Sequence, residues 1–187
     1  MHKRSKVSAA PKQVERVDGP RASRPGFPSD YGIPKEPRGM LRWSFVEERM
    51  ARAANYWLAT VRPDGVPHVR PVDGVWVEGV LCFGGSPKTR WVRNLQHNPA
   101  MTVHIGSEEE VVILEGAAEF VTDSAHPLAA ARLEAARRKY PQYYPGSKPP
   151  PFRPFWMLRP GVVFAWTLKE FPQSATRWVL RPTEERP

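Results

Sequence analysis

The sequence holds one cysteine, Cys82, which excludes an internal disulfide and a cysteine-based zinc site. No apolar run approaches the roughly 20 residues that span a bilayer, and none follows the basic start as the core of a signal peptide. The sequence therefore predicts a cytoplasmic protein that does not enter a membrane. No glycine-rich dinucleotide fingerprint and no βαβ alternation occur, which argues against a doubly wound sheet. The five histidines, His2, His68, His97, His104 and His126, contain no i, i+4 pair of the helical zinc type. No internal repeat is visible.

Charge, proline and aromatics are abundant instead. The chain of 187 residues carries a formal net charge of +9, with 22 prolines and seven tryptophans. A hydrophobic content of 41% excludes a wholly disordered chain. The first 40 residues hold nine Lys/Arg, four Asp/Glu and six prolines, and so five of the nine net charges. They have few large aliphatics and no sustained period. Such a segment buries too little to offset its ordering entropy, so residues 1–40 are expected to be a disordered basic arm. Residues 41–181 are expected to be the folded domain, with 182–187 a tail. Nucleic-acid binding by the arm is disfavoured, because the interleaved aromatic and basic residues of single-strand binders are missing.

Within the domain, Ser44-Phe45-Val46-Glu47 has the spacing of a capping box and predicts a helix to about Ala54. Strands are expected at Tyr56–Val61 and Val66–Val72 around the turn Pro63-Asp64-Gly65. Val75–Val77 and Val80–Phe83 pair across Glu78-Gly79 as a hairpin. A helix follows from Pro87 to His97, then strands at Met101–Ile105 and Val111–Val121. The helix Pro127–Tyr140 carries Arg132, Arg137 and Arg138 on its wet face. Seven prolines from Pro141 to Pro160 mark a long irregular connection, and strands close the chain at Val162–Leu168 and Thr176–Leu180. Tight turns between strands make this a mainly β fold with flanking helices, antiparallel, in a closed or nearly closed barrel. Glu108-Glu109-Glu110 reads as a charged turn, and Pro149-Pro150-Pro151 as a stiff connector.

The most informative segment is Gly84-Gly85-Ser86-Pro87-Lys88-Thr89-Arg90. Ser86 suits an N-cap and Pro87 a first helical position, while the glycines let backbone approach a bound group. The positive end of a helix dipole disfavours Lys88 and Arg90 there, unless an anion sits at the helix start. Arg70 on the neighbouring strand shares a face with His68 and adds a second arginine. Cys82, in an apolar strand, is expected to be buried and inert.

These residues resemble a known family. Leu58-Ala59-Thr60-Val61 leading into Asp64-Gly65, Pro67 and Arg70-Pro71-Val72 is similar to the strand-turn-strand signature of the pyridoxamine 5′-phosphate oxidase-like split barrels. Phe83, Ser86, Lys88-Thr89-Arg90, Arg93-Asn94-Leu95 and Asn98-Pro99 resemble their helix segment, and Val112–Glu119 the strand after it. Ala165-Trp166 and Ala175-Thr176-Arg177-Trp178 are similar to the end of actinobacterial members. The resemblance spans about residues 44–181. It implies a homodimeric, six-stranded antiparallel split β-barrel that binds F420 or FMN and transfers a hydride to a small organic substrate. It further implies that Arg70, Lys88, Thr89 and Arg90 hold the cofactor phosphate, with Gly84, Gly85 and Ser86 beside them. Pro71 and Val72 would run past the ring system. Trp166, Arg177 and Trp178 either cover that ring from the C-terminal hairpin or serve ordinary core and dimer packing. Trp91 stands where many relatives have lysine, and Gly84-Gly85 where they have a hydroxyl residue, departures that favour F420 over FMN. A non-catalytic carrier of flavin, F420 or haem is the alternative, with His68 the candidate iron ligand.

Overall fold

A computed structural model describes residues 20–180, apart from positions 108, 147 and 149. Nine strands and three helices follow the chain in the order β1 (Ala22–Ser23), α1 (Trp43–Arg52), β2 (Tyr56–Val61), β3 (Pro67–Val72), β4 (Gly74–Val77), β5 (Val80–Phe83), α2 (Arg90–His97), β6 (Ala100–Gly106), β7 (Glu110–Val121), α3 (Leu128–Lys139), β8 (Phe155–Thr167) and β9 (Thr176–Val179). Every pairing is antiparallel, in the path β1-β9-β8-β7-β6-β2-β3. The mainly β, antiparallel class matches the expectation. The sheet has nine strands among the described residues rather than six, because β1 and the β4–β5 hairpin join it.

The sheet forks at β8. One edge of β8 pairs with β7 along its whole length. The other edge is shared, by β5 opposite Trp156–Leu158 and by β9 opposite Val162–Ala165. Pro160 does not end β8, contrary to the expected irregular connection. It stands opposite Gly116 where the β7–β8 register shifts, a bulge that tolerates the missing amide.

Strand β5 is buried on both faces. Leu81 and Phe83 join a large apolar cluster with Tyr56, Leu58, Leu95, Leu114 and Trp178. Val80 and Cys82 face a second cluster under α3, with Leu128, Phe155 and Met157. The β4–β5 hairpin turns at Glu78 and Gly79, both at positive φ (51° and 74°), a conformation that glycine adopts freely. Cys82 is buried as expected, and burial pushes its thiol up to about 12.

Two local expectations fail for physical reasons. Helix α1 begins at Trp43 with no side-chain cap. Glu47 does not reach back to close a capping box. Its carboxylate accepts the indole N–H of Trp43 at 2.7 Å and that of Trp76 at 2.8 Å. Charge-assisted bonds to two half-buried indoles outweigh one exposed amide.

The arm is the larger correction. Residues 1–19 lie outside the described residues, but from Pro20 on the segment packs against the domain. Ala22 and Ser23 pair with Trp178 and Arg177. Phe27 stacks on Tyr31 with centroids 5.3 Å apart and meets Trp166 and Phe171 edge-on. Arg24 donates Nε and Nη2 to the carbonyl of Glu36 and Nη2 to that of Arg38, with Nη1 on the carbonyls of Gln173 and Ala175. One guanidinium thus ties the strap to the β8–β9 connection. Low hydrophobicity did not signal this, because the strap is held by backbone carbonyls and one aromatic side chain.

Candidate functional site

The strand pair β2–β3 presents alternate residues to opposite faces. Tyr56, Leu58 and Thr60 point inward, opposite Val72, Arg70 and His68. Trp57, Ala59 and Val61 point outward, opposite Pro71, Val69 and Pro67. Helix α2 lies on the inward face of both strands. It buries Trp91, Val92, Asn94 and Leu95, a stripe spaced for one helical face.

Asn94 fixes the junction. It is fully buried, and its Nδ2 donates to Thr60 Oγ1 at 2.9 Å. The Thr60 hydroxyl in turn donates to the His68 carbonyl at 3.3 Å. Two buried polar atoms here lack a partner among the described residues, Asn94 Oδ1 and His68 Nδ1. Burial lowers the His68 pKa below its ordinary value, and the charges of Arg70, Arg90 and Arg62 lower it further. The neutral imidazole is therefore favoured, and the charges of three arginines reach it.

These arginines differ in how they are satisfied. Arg62 pairs with Asp64 at 2.6 Å. Among the described residues Arg70 donates only to the adjacent carbonyl of Val69, at 2.8 Å, and it is exposed. Arg90, at the first position of α2, meets no acceptor among the described residues. Two unneutralised guanidinium groups beside a helix start make a site suited to an anion.

The helix start itself differs from expectation. Ser86 does not cap α2 and Pro87 is not its first residue. The Ser86 carbonyl is captured three residues on by the Thr89 amide at 2.9 Å and the Thr89 hydroxyl at 2.8 Å. This turn delays the helix to Arg90, with Thr89 at the cap position. The Thr89 hydroxyl is thereby committed to the backbone. Lys88 is exposed in the turn, and its charge is not among those acting on His68.

Gly85 is required for packing rather than for ligand approach. A Cβ there would lie 2.3 Å from the indole of Trp91, which is itself buried against Phe83. Gly84 is open, and a Cβ would meet only Arg132 Nη2, at 3.8 Å. Arg132 is accordingly not on a wet face, since its guanidinium stacks 4.7 Å from the Phe155 ring centroid.

The structure thus brings together Arg70 and Arg90, with Gly84 to Thr89 preceding α2. Val72 is half-buried on the inward face, while Pro71 faces outward. Trp178 belongs to neither group. It is a core residue, 1% exposed, meeting Trp43 edge-on. Trp166 is held by Phe27 and Phe171, and Arg177 pairs with Ser23. Sequence reasoning missed Arg62 and Asn94 as parts of the site. Alternation from Thr60 to Arg62 was the available signal for the first.

The pyridoxamine 5′-phosphate oxidase family model matches residues 45–167. Among solved structures, the chain is similar to an F420 reductase at 29% identity, covering 63% of this chain and 94% of the other, with a TM-score of 0.48. It is similar to a haem-binding protein from Mycobacterium smegmatis at 26% identity, over 63% and 50% of the two chains, with a TM-score of 0.49. A pyridoxamine 5′-phosphate oxidase-related, FMN-binding protein from Nostoc punctiforme shares the fold at 19% identity, over 76% and 98% of the chains, with a TM-score of 0.51. A search of curated proteins finds no match.

Proposed function

The chain belongs to the pyridoxamine 5′-phosphate oxidase family, and from that premise we propose that it is an oxidoreductase using F420, or else FMN, to reduce a small organic substrate. The observation that carries the proposal is the pair Arg70 and Arg90, lacking carboxylate partners and converging on a neutral His68. The residues fit a phosphorylated cofactor, because neither guanidinium meets a carboxylate among the described residues and both therefore keep charge and N–H donors for a phosphate. When bound, a flavin or deazaflavin supplies the hydride chemistry, so the protein needs no acid–base pair of its own. Arg70 and Arg90 neutralise the phosphate. The Asn94–Thr60–His68 chain of hydrogen bonds holds α2 at a fixed height over β3 and so sets the spacing of the two arginines. Trp91 in the core leaves no cation at that helical position, and this supports F420 as the first choice.

Titration of the purified chain with F420 and with FMN, followed by fluorescence, tests the reading. Micromolar binding of either that is lost in Arg90→Ala supports it, and equal binding by the variant overturns the site. A carrier of flavin, F420 or haem is the second reading, resting on the unpartnered Nδ1 of His68. Haem uptake abolished in His68→Ala would select it.

The protein is further inferred to act as a cytoplasmic homodimer. No helix among the described residues is long and apolar enough to cross a membrane. The outward face of β2–β3 exposes Trp57, Val61 and Val69, each at about two-fifths, in an apolar patch that a second copy would cover. Sedimentation of Val69→Asp as a monomer, with the unaltered chain a dimer, checks this.

A further inference from the structure

The structure holds a concave feature away from the β2–β3 junction. A cleft of about 390 Å³ lies between α3 and the segment after it, walled by Leu133, Phe152, Tyr143 and Tyr144. Two basic side chains, Arg132 and Arg153, line it, and no acidic one does. Its size is that of a site for a small ligand.

Arg132 is the unusual member. It projects from α3 onto the Phe155 ring and approaches Gly84, where a Cβ would lie 3.8 Å from Nη2. The Phe155 ring lies against the guanidinium and offers it no hydrogen-bond acceptor, so its N–H groups remain for another partner. No hydrogen bond or ion pair engages them among the described residues. A half-buried cation with no counter-charge among the described residues is well placed to be completed by an anion. Arg153 is exposed at the same cleft and adds charge without burial. The tyrosine rings and Phe152 supply flat apolar surface.

We propose that this cleft binds an organic carboxylate with an aromatic or branched apolar body, its carboxylate on the N–H edge of Arg132. A carboxylate matches the planar fork of guanidinium and sheds water more readily than a phosphate dianion, as apolar walls require. Arg132 reaches both this cleft and Gly84, so the ligand lies next to the segment leading to Arg90. Binding at this cleft does not rest on the proposed function.

Titration calorimetry of the full chain, without flavin or F420, tests the site with naphthoate as probe. Naphthylmethanol, the neutral counterpart, and inorganic phosphate are the comparisons. Naphthoate is expected to bind about tenfold or more tightly than either, the ratio that one charge-assisted pair supplies. Arg132→Gln is expected to weaken naphthoate about tenfold, Arg132→Lys to restore part of that loss, and Arg153→Gln to cost about threefold. Naphthylmethanol binding as tightly as naphthoate overturns the carboxylate assignment, and needs no variant to fold. Undiminished binding by Arg132→Gln, or no heat with naphthoate at about 1 mM, overturns the site. Because no cofactor is present, failure here leaves the F420 and FMN titrations to be judged on their own.

Discussion

Two basic regions of this molecule spend their arginines in opposite ways. In the strap of residues 20–40, all the donor groups of Arg24 meet backbone carbonyls from two segments. At the β2–β3 junction, Arg70 reaches only its neighbour's carbonyl and Arg90 reaches nothing among the described residues. A saturated guanidinium is a structural tie, because removing it leaves several acceptors without donors. A guanidinium with few protein acceptors keeps its charge and donors for an anion. The difference teaches that net charge is a poor guide to function. The state of each donor separates the charges that hold the fold from those left open to a ligand.

Breaking the tie should have the largest effect. Arg24→Ala is expected to cost about 3 kcal/mol in urea unfolding, the range of charged hydrogen bonds lost together with their geometry. Arg24→Lys should recover little, since one ammonium cannot reach carbonyls arranged for a fork. Deleting residues 1–40 should cost more, because β1 and the Phe27 contacts go too. Cofactor affinity measured on the folded fraction of Arg24→Ala should not change.

The junction should respond the other way. Arg70→Ala and Arg90→Ala should each weaken F420 or FMN by about 10- to 100-fold, as loss of one phosphate contact does. Their unfolding free energies should stay within about 0.5 kcal/mol of the parent chain. A large stability loss in either variant would mean that the arginine is structural, and the contrast with Arg24 would fail.

Much of the sheet was legible, because β2 and β5 occupy the predicted residues and Glu78-Gly79 turns as its glycine requires. Periodicity reports burial, and burial dominates these strands. The parts that were not legible depend on partners distant in sequence. Ser86-Pro87 has the local chemistry of a helix start, but the fit of Trp91 against Gly85 accompanies a later one. Glu47 has capping-box spacing and instead serves two indoles, one of them 29 residues away. At the site, Arg70 and Arg90 were legible from alternation and the helix start. The engagement of the Thr89 hydroxyl and the burial of Trp178 were not, since both follow from tertiary packing.

Lys139 extends the comparison to a cation held by mixed partners. Its ammonium donates to the Gly74 carbonyl at 2.8 Å and the Tyr56 hydroxyl at 3.1 Å, 4.5 Å from the Tyr56 ring centroid. Burial lowers its pKa to about 8, against the opposing pull of Asp73. Below that value the fold carries a desolvated charge that the unfolded chain does not. Between about 8 and the ordinary lysine value of 10.5, the unfolded chain binds more protons, so stability rises with pH. Unfolding midpoints measured across that window should climb, and Lys139→Met should flatten the climb.

The smallest effect belongs to an arginine satisfied at the surface. Arg49 grips Glu110 with Nε at 3.0 Å and Nη2 at 2.6 Å, a pair that joins α1 to β7. Glu110 is thus more than part of a charged turn, and position 108 of that run lies outside the described residues. The hydrogen bond from Arg49 holds the Glu110 carboxyl below its ordinary pKa. A depressed carboxylate adds stability above its unfolded pKa and loses it as pH falls through the folded value. Yet the side chains are 24% and 38% exposed, so water and salt screen the pair. Glu110→Gln should therefore cost less than about 1 kcal/mol at pH 7, with the difference vanishing in acid and shrinking in high salt. A bidentate pair this weak beside an Arg24 tie worth several times more would show that the number of backbone carbonyls a guanidinium satisfies, not the charge of its partner, sets what an arginine contributes.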